Sequence, residues 1–145
     1  MYEILLIAHL MIIAMVTGMA FSHLLMLRVS AGQSGDSSLA LALARRTLAD
    51  FTTMAVVFVW ITGLMLLWSQ YGQTGRVVSA WFYAKVGFVG VLTASHLMQR
   101  MQAARMHGRV GDKERARLEL WVAVVWLAAL IAICLAVVSF APGPR

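Results

Sequence analysis

The stretch AWFYAKVGFVGVLTASHLMQR, residues 80–100, decides how the whole chain is organised. It is apolar enough to cross a membrane, yet it contains Lys85 and His96, eleven residues apart. At about 100° per residue this separation closes to within about 20°, so both side chains share one face of a helix. An ionisable residue inside a membrane helix is costly, and it is by default a candidate for a functional site.

The composition predicts an integral membrane protein with a single domain over residues 1–145. Of its 145 residues, 61% are hydrophobic and only 12% are charged, whereas about a quarter of the residues in a soluble domain are charged. The net charge of +6 comes from the loops, which points to membrane lipid as a partner. No basic stripe is interleaved with aromatic residues, so nucleic-acid binding is not expected.

Four apolar segments predict an all-α bundle of four transmembrane helices, at about residues 4–27, 51–71, 80–100 and 120–141. Each segment is long enough to cover a hydrocarbon core of about 30 Å. The sequence LALALARRTLAD before the second segment predicts a short helical lead-in. Within it, Arg46 and Asp50 have the i,i+4 spacing of a local ion pair.

The basic residues of the loops predict the orientation of the chain. The loop after the second segment has only Arg76. The first and third loops are rich in basic residues: Arg28, Arg45, Arg46, Arg100, Arg105, Arg109, Lys113, Arg115 and Arg117. By the positive-inside rule these two loops face the cytoplasm. Both termini are then on the outer, periplasmic side of a bacterial inner membrane.

Ionisable residues in the first and third segments are matched in depth. His9 and Lys85 each lie five or six residues after the start of their segments, and His23 and His96 each lie four or five residues before the end. Because the two helices run in the same direction, we expect His9 and Lys85 at one outer level and His23 and His96 at one inner level. In an up-down bundle these two helices are diagonal and face each other across the core, where bundles build haem and metal sites.

These residue types favour haem chemistry, although simpler interpretations exist. Two histidines across a bundle can hold a haem iron from both sides, and a methionine can replace one of them. Candidate methionines at the inner level are Met19, Met54 and Met98. Lys85 can pair with a carboxylate such as a haem propionate, or accept a proton if it is desolvated. In the simpler interpretations, His23 bonds to a neighbouring helix and Lys85 reaches the outer interface.

The third segment, WFYAKVGFVGVLTASHLMQRM, resembles the bacterial membrane protoporphyrinogen oxidases of the HemJ type. The residues that match the pattern of that family are Trp81, Lys85, His96 and Arg100. His9 in the first segment also matches, and so do three residues around the second segment: Arg45, Arg46 and Gly63. The chain departs from the family at AMVTGMAF, which has no tryptophan, and at LELWVAVVWL, which has no proline.

The resemblance implies a four-helix protein that binds haem b and oxidises protoporphyrinogen IX to protoporphyrin IX. It makes His9 the leading haem ligand and Lys85 the second site residue. A cleft containing Lys85 and Arg100, as candidate catalytic residues, would suit a flat substrate with anionic propionates. Electrons would pass through haem to a quinone.

Two alternatives remain open from the sequence. The first is a b-type membrane electron carrier in which His23 and His96 are the axial ligands of haem. The second is a non-catalytic accessory subunit of a larger membrane complex, or a homo-oligomer. Gly87, Gly90 and Ala94 form a stripe of small residues that would suit close helix contact.

Overall fold

Four long α-helices make up the part of the chain that the computed structural model describes, residues 2–30, 36–72, 80–105 and 112–140. They are α1 (Tyr2–Val29), α2 (Asp36–Leu67), α3 (Ala80–Arg105) and α4 (Asp112–Phe140). A π-helical turn, Trp68–Gly72, follows α2. The prediction of an all-α fold is therefore confirmed for the described residues.

Two of the helices begin earlier than their predicted spans. The predicted lead-in and the second span form one continuous helix of 32 residues, α2, because nothing between them interrupts a run of good helix formers. Helix α4 begins at Asp112 rather than near Leu120. Its charged first turns are helical, and Arg115 donates to Glu119 one turn later, at 3.2 Å. Residues 141–145, where the last span was expected to end, lie outside the described residues.

Three of the helical segments are long and apolar enough to cross a membrane: Tyr2–Val29, Leu39–Leu67 and Lys113–Leu135. Helix α3 has 26 residues, which is sufficient length. It is less apolar than the other three because its buried face carries polar side chains, among them Ser95, His96 and Gln99.

The helices are arranged so that α1 packs against α2 and α4, and α3 packs mainly against α4. The backbones of α2 and α3 approach each other least closely among these neighbours. Helices α1 and α3 are thus diagonal, as predicted. They run in the same direction, because His9 and Lys85 line one cavity and His23 contacts Gln99. We call the end where α1 and α3 begin the upper end, and the opposite end the lower end.

The core between the helices consists of small and β-branched residues. Val16, Val125 and Ala129 are at most 1% exposed, and the alanines of α4 allow α1 to approach closely. The outer surface is also apolar: Ile4, Phe51 and other large hydrophobic side chains are more than half exposed. A soluble monomer rarely exposes so much contiguous apolar surface.

At the lower end, arginine side chains join the helices. Arg115 of α4 donates to the carbonyl of Leu27 near the end of α1, where helix carbonyls lack partners within the helix. Arg100 of α3 forms an ion pair with Asp50 of α2. The predicted pair of Arg46 with Asp50 is therefore wrong, because the carboxylate turns to the neighbouring helix instead.

We predict that Leu27→Ala destabilises the protein by about 2 kcal/mol, because it leaves a cavity against α4. Leu27 is 1% exposed and packs against Leu118 and Val122. Unfolding of the purified protein by SDS in mild detergent, followed by tryptophan fluorescence, measures the change. The control is Leu25→Ala on the same helix, at a side chain that is 54% exposed. An equal effect of the two variants would contradict the packing described.

Candidate functional site

A cavity of about 300 Å³ lies at the upper end, lined by α1, α2, α3 and one residue of α4. We call it the upper cavity. Its polar and aromatic lining residues are Tyr2, His9, Trp60, Phe82, Tyr83 and Lys85, and the remainder of the lining is aliphatic side chains and Gly63. The structure thus brings His9 and Lys85 to one place, as their matched depths predicted. The size lies at the lower limit of small-molecule sites, roughly 300–1,000 Å³.

His9 is oriented by a threonine of α2. Its Nδ1 lies 2.7 Å from Oγ1 of Thr62. Thr62 Oγ1 in turn lies 2.7 Å from the carbonyl oxygen of Phe58, to which it donates its only proton. The hydroxyl therefore accepts from His9, so Nδ1 carries the ring proton and Nε2 keeps its lone pair. A histidine held in this way presents Nε2 to a metal ion or to an N–H or O–H donor.

Gly63 and Trp60 shape the α2 wall of the upper cavity. A Cβ atom on Gly63 would lie 3.4 Å from Cε1 of His9, so a larger side chain at this position would crowd the imidazole. Trp60 Nε1 donates to Oγ1 of Thr93 on α3 at 3.0 Å. This bond joins α2 to α3 where their backbones are far apart, and it supports the side of the cavity facing the lower end.

A second polar group, which we call the lower cluster, consists of His23, Thr53, His96 and Gln99. His96 is 5% exposed, and its Nε2 lies 2.9 Å from Oγ1 of Thr53. Thr53 donates to the carbonyl of Ala49 at 2.8 Å, so it accepts the proton of His96 Nε2. Nδ1 of His96 then holds a lone pair, and this buried atom has no hydrogen-bond partner among the described residues.

His23 contacts the diagonal helix through Gln99. The amide nitrogen of Gln99 lies 3.2 Å from Nε2 and 3.3 Å from Nδ1 of His23. Both side chains are buried, at 7% and 5% exposure. His23 therefore contacts an amide of the diagonal helix rather than a carbonyl or hydroxyl of a neighbouring helix, and it lies within about one turn of His96 in depth.

The upper cavity and the lower cluster are separate sites. His9 and His23 are fourteen residues apart on α1, which is about 21 Å along the helix. Arg100 lies at the lower end with Asp50, fifteen residues and about 22 Å from Lys85. The structure therefore does not bring Arg100 into the cavity with Lys85, as one substrate cleft would require.

The threonines and Gln99 are the site residues that the sequence analysis missed. The sequence does contain features that point to these residues. Thr53 and Thr62 carry hydroxyl groups within an apolar segment, and Gln99 is one turn after His96. Of the proposed soft ligands, Met54 and Met98 are 62% and 39% exposed, whereas Met19 packs against the core. Among the described residues, no group of three or more histidine, cysteine, aspartate and glutamate side chains is placed to hold a metal ion.

Comparison of the chain with protein-family models, with curated proteins and with solved structures finds no match.

We predict that Thr62→Val releases His9 and mixes its two neutral tautomers, because valine keeps the shape of threonine but cannot accept the Nδ1 proton. Nitrogen-15 NMR of histidine-labelled protein in detergent distinguishes the tautomers. The control is Thr52→Val on the same helix, whose hydroxyl bonds only to the carbonyl of Leu48. A single Nδ1–H tautomer in both variants would show that Thr62 does not orient the ring.

Proposed function

We propose that the protein is a membrane-embedded oxidoreductase that binds haem b in the upper cavity and resembles the protoporphyrinogen IX oxidases in activity. One observation carries this proposal: His9, whose Nδ1 lies 2.7 Å from Thr62 Oγ1, lines an apolar cavity that also contains Lys85. Neutral imidazole nitrogen is the commonest haem ligand in proteins. An apolar wall with one cation suits a flat apolar molecule with a carboxylate edge.

The donor set fits haem. His9 would hold the haem iron, and the hydrogen bond between its Nδ1 and Thr62 would orient the ring. Lys85 would pair with a propionate. The cavity would enclose only part of a tetrapyrrole, so haem binding would require more space between α2 and α3, whose backbones are in few close contacts. When bound, haem supplies one-electron redox chemistry.

The residues of the upper cavity also suit a porphyrinogen as substrate. Lys85 would hold a propionate or, when deprotonated, take up a substrate proton. Oxidation to the porphyrin removes six electrons and six protons, and three membrane quinones would take them up as three quinols.

A membrane location is supported by the apolar exterior and by the distribution of charge. Arginines collect at the lower end, including Arg28, Arg46 and Arg117, whereas Lys85 is the basic residue near the upper end within the described residues. With α3 as a fourth span, we place the lower end in the cytoplasm of a bacterial cell and both termini outside. The basic lower end would also contact anionic lipid headgroups.

The alternative of a b-type electron carrier with His23 and His96 as axial ligands has less support. Both rings are almost fully buried and already contact polar side chains. A porphyrin between them would have to displace closely packed core residues. The upper cavity, by contrast, offers space beside its histidine.

A second candidate function is favoured by one observation. No atom of the described residues lies within 4 Å of a Cβ added to Gly87 or Gly90 of α3, so this part of the small-residue stripe is open in the described structure. An open stripe of this kind suits contact with another membrane helix. An accessory subunit of a larger complex, or a homo-oligomer, would use it.

We predict that the protein purified in mild detergent carries haem b in a one-to-one ratio and that His9→Ala loses it. Reduced-minus-oxidised absorption spectra and a pyridine haemochrome assay measure the content. Added imidazole should restore binding to His9→Ala, because it replaces the missing ligand in the space that the side chain leaves. Loss of haem from His96→Ala, with His9→Ala unaffected, would favour the carrier instead, and a colourless protein would contradict both.

We predict that Lys85→Ala abolishes rescue of a bacterial strain that lacks its own protoporphyrinogen oxidase, because the site loses its cation. Lys85→Arg should retain part of the rescue, since it keeps the charge. Growth and porphyrin accumulation are the readouts, with equal membrane levels verified by immunoblot. The control is Lys113→Ala at the exposed start of α4. Full rescue by Lys85→Ala would remove this residue from the proposed site.

A further inference from the structure

The lower cluster contains a buried atom that the haem proposal does not use, Nδ1 of His96. Its lone pair points to no hydrogen-bond donor in the part of the chain that the structure describes, and an unsatisfied buried acceptor is costly and rare in proteins. The other ring nitrogen donates to Thr53, whose own proton goes to Ala49. Histidines that bind metal ions have this arrangement, in which one nitrogen donates to a neighbour and the other faces the ion.

The register of α1 and α3 places further donor atoms at the same depth. Because Gln99 contacts His23, these two positions are level. His96 is three residues earlier on a parallel helix, so it lies about 4.5 Å nearer the upper end. His96 is therefore level with Ala20 of α1, which lies between Met19 and His23. His23 and His96 thus differ in depth by about one helical turn.

Met19 brings a soft sulfur atom to this layer. It lies four residues before His23, and therefore on the same face of α1 one turn away. Its side chain packs against the core that includes Leu92, which is one turn before His96 on α3. Met19, His23 and His96 therefore lie within about one helical turn of one another in depth.

We propose that His23, His96 and Met19 bind a monovalent soft metal ion, Cu(I), as a site separate from the upper cavity. Imidazole and thioether ligands suit this ion. All three donors are neutral, so the full charge of the ion would be buried, and the cost of burying an ion rises with the square of its charge. A monovalent ion is therefore strongly favoured over a divalent one.

Neighbouring charges reinforce this selectivity. The nearby carboxylates of Asp50 and Glu119 are paired with Arg100 and Arg115. Arg100 is one turn after His96 on α3, and Arg45 of α2 donates to Ser30 at the same lower end. Each positive neighbour penalises a divalent cation twice as much as a monovalent one.

The test is anaerobic titration with Cu(I) in competition with a chromogenic Cu(I) chelator. It uses the full-length protein as purified in detergent, with Cys134→Ser in every sample to remove the single thiol. We expect one tightly bound Cu(I) per chain, with nitrogen and sulfur ligands in X-ray absorption spectra. Zn(II), used as the divalent probe, should not occupy the site or compete with Cu(I).

Two adjacent threonines provide the matched variants. Thr53→Val removes only the partner of His96, and we expect it to weaken Cu(I) binding by roughly 10–100-fold. Thr52→Val should change nothing, because that hydroxyl bonds within its own helix. Met19→Leu should remove the sulfur signal, whereas Met15→Leu, at a side chain that is 59% exposed, should keep it. His96→Leu should abolish the site, and if that variant fails to fold, Thr53→Val still tests the role of His96.

Absence of tight Cu(I) binding would overturn the proposal, as would unchanged affinity in Thr53→Val or equal binding of Zn(II). The result is independent of haem. His9→Ala should lose haem and keep Cu(I), whereas Thr53→Val should keep haem and lose affinity for Cu(I), so failure of one site is distinguishable from failure of the other.

Discussion

Hydrogen bonds from imidazole rings to threonine hydroxyls are the interactions on which both sites depend. Thr62 and Thr53 each donate their single proton to a carbonyl of their own helix. Each hydroxyl is then an acceptor, and it selects the tautomer of the histidine facing it, His9 or His96. In an apolar core no water competes for these groups, so the bond determines which ring nitrogen remains available.

Helix α2 connects the diagonal helices α1 and α3, although its backbone lies close only to α1. It contacts α1 along its backbone, but it meets α3 mainly through side chains that reach across a gap. Trp60, Thr53 and Asp50 form these bridges to Thr93, His96 and Arg100. Because the bridges begin at Trp60 and continue downward, the gap above them remains open as the upper cavity.

Much of the fold and part of the candidate site could be predicted from the sequence. Apolar segment lengths predicted the helices, and the spacing of Lys85 from His96 and of His9 from His23 predicted two polar levels. The start of α4 and the partner of Asp50 were not predicted correctly, because the apolar span does not mark where its helix begins and local spacing does not exclude a partner on another helix. The resemblance of the third segment predicted that Arg100 and Lys85 share one cleft. In the structure the two residues are fifteen positions apart on α3, and they lie near opposite ends of the bundle.

By itself the sequence determined the helical class, the apolar exterior and the depth of each ionisable residue, since these follow from composition and from a fixed rise per residue. Only the tertiary structure decided which hydroxyl faces which imidazole, and therefore which nitrogen keeps its lone pair. It also decided that the space beside His9 is open while the space around His96 is filled. These outcomes depend on helix rotation and on the distance between helices, which are set by the packing of all four helices together.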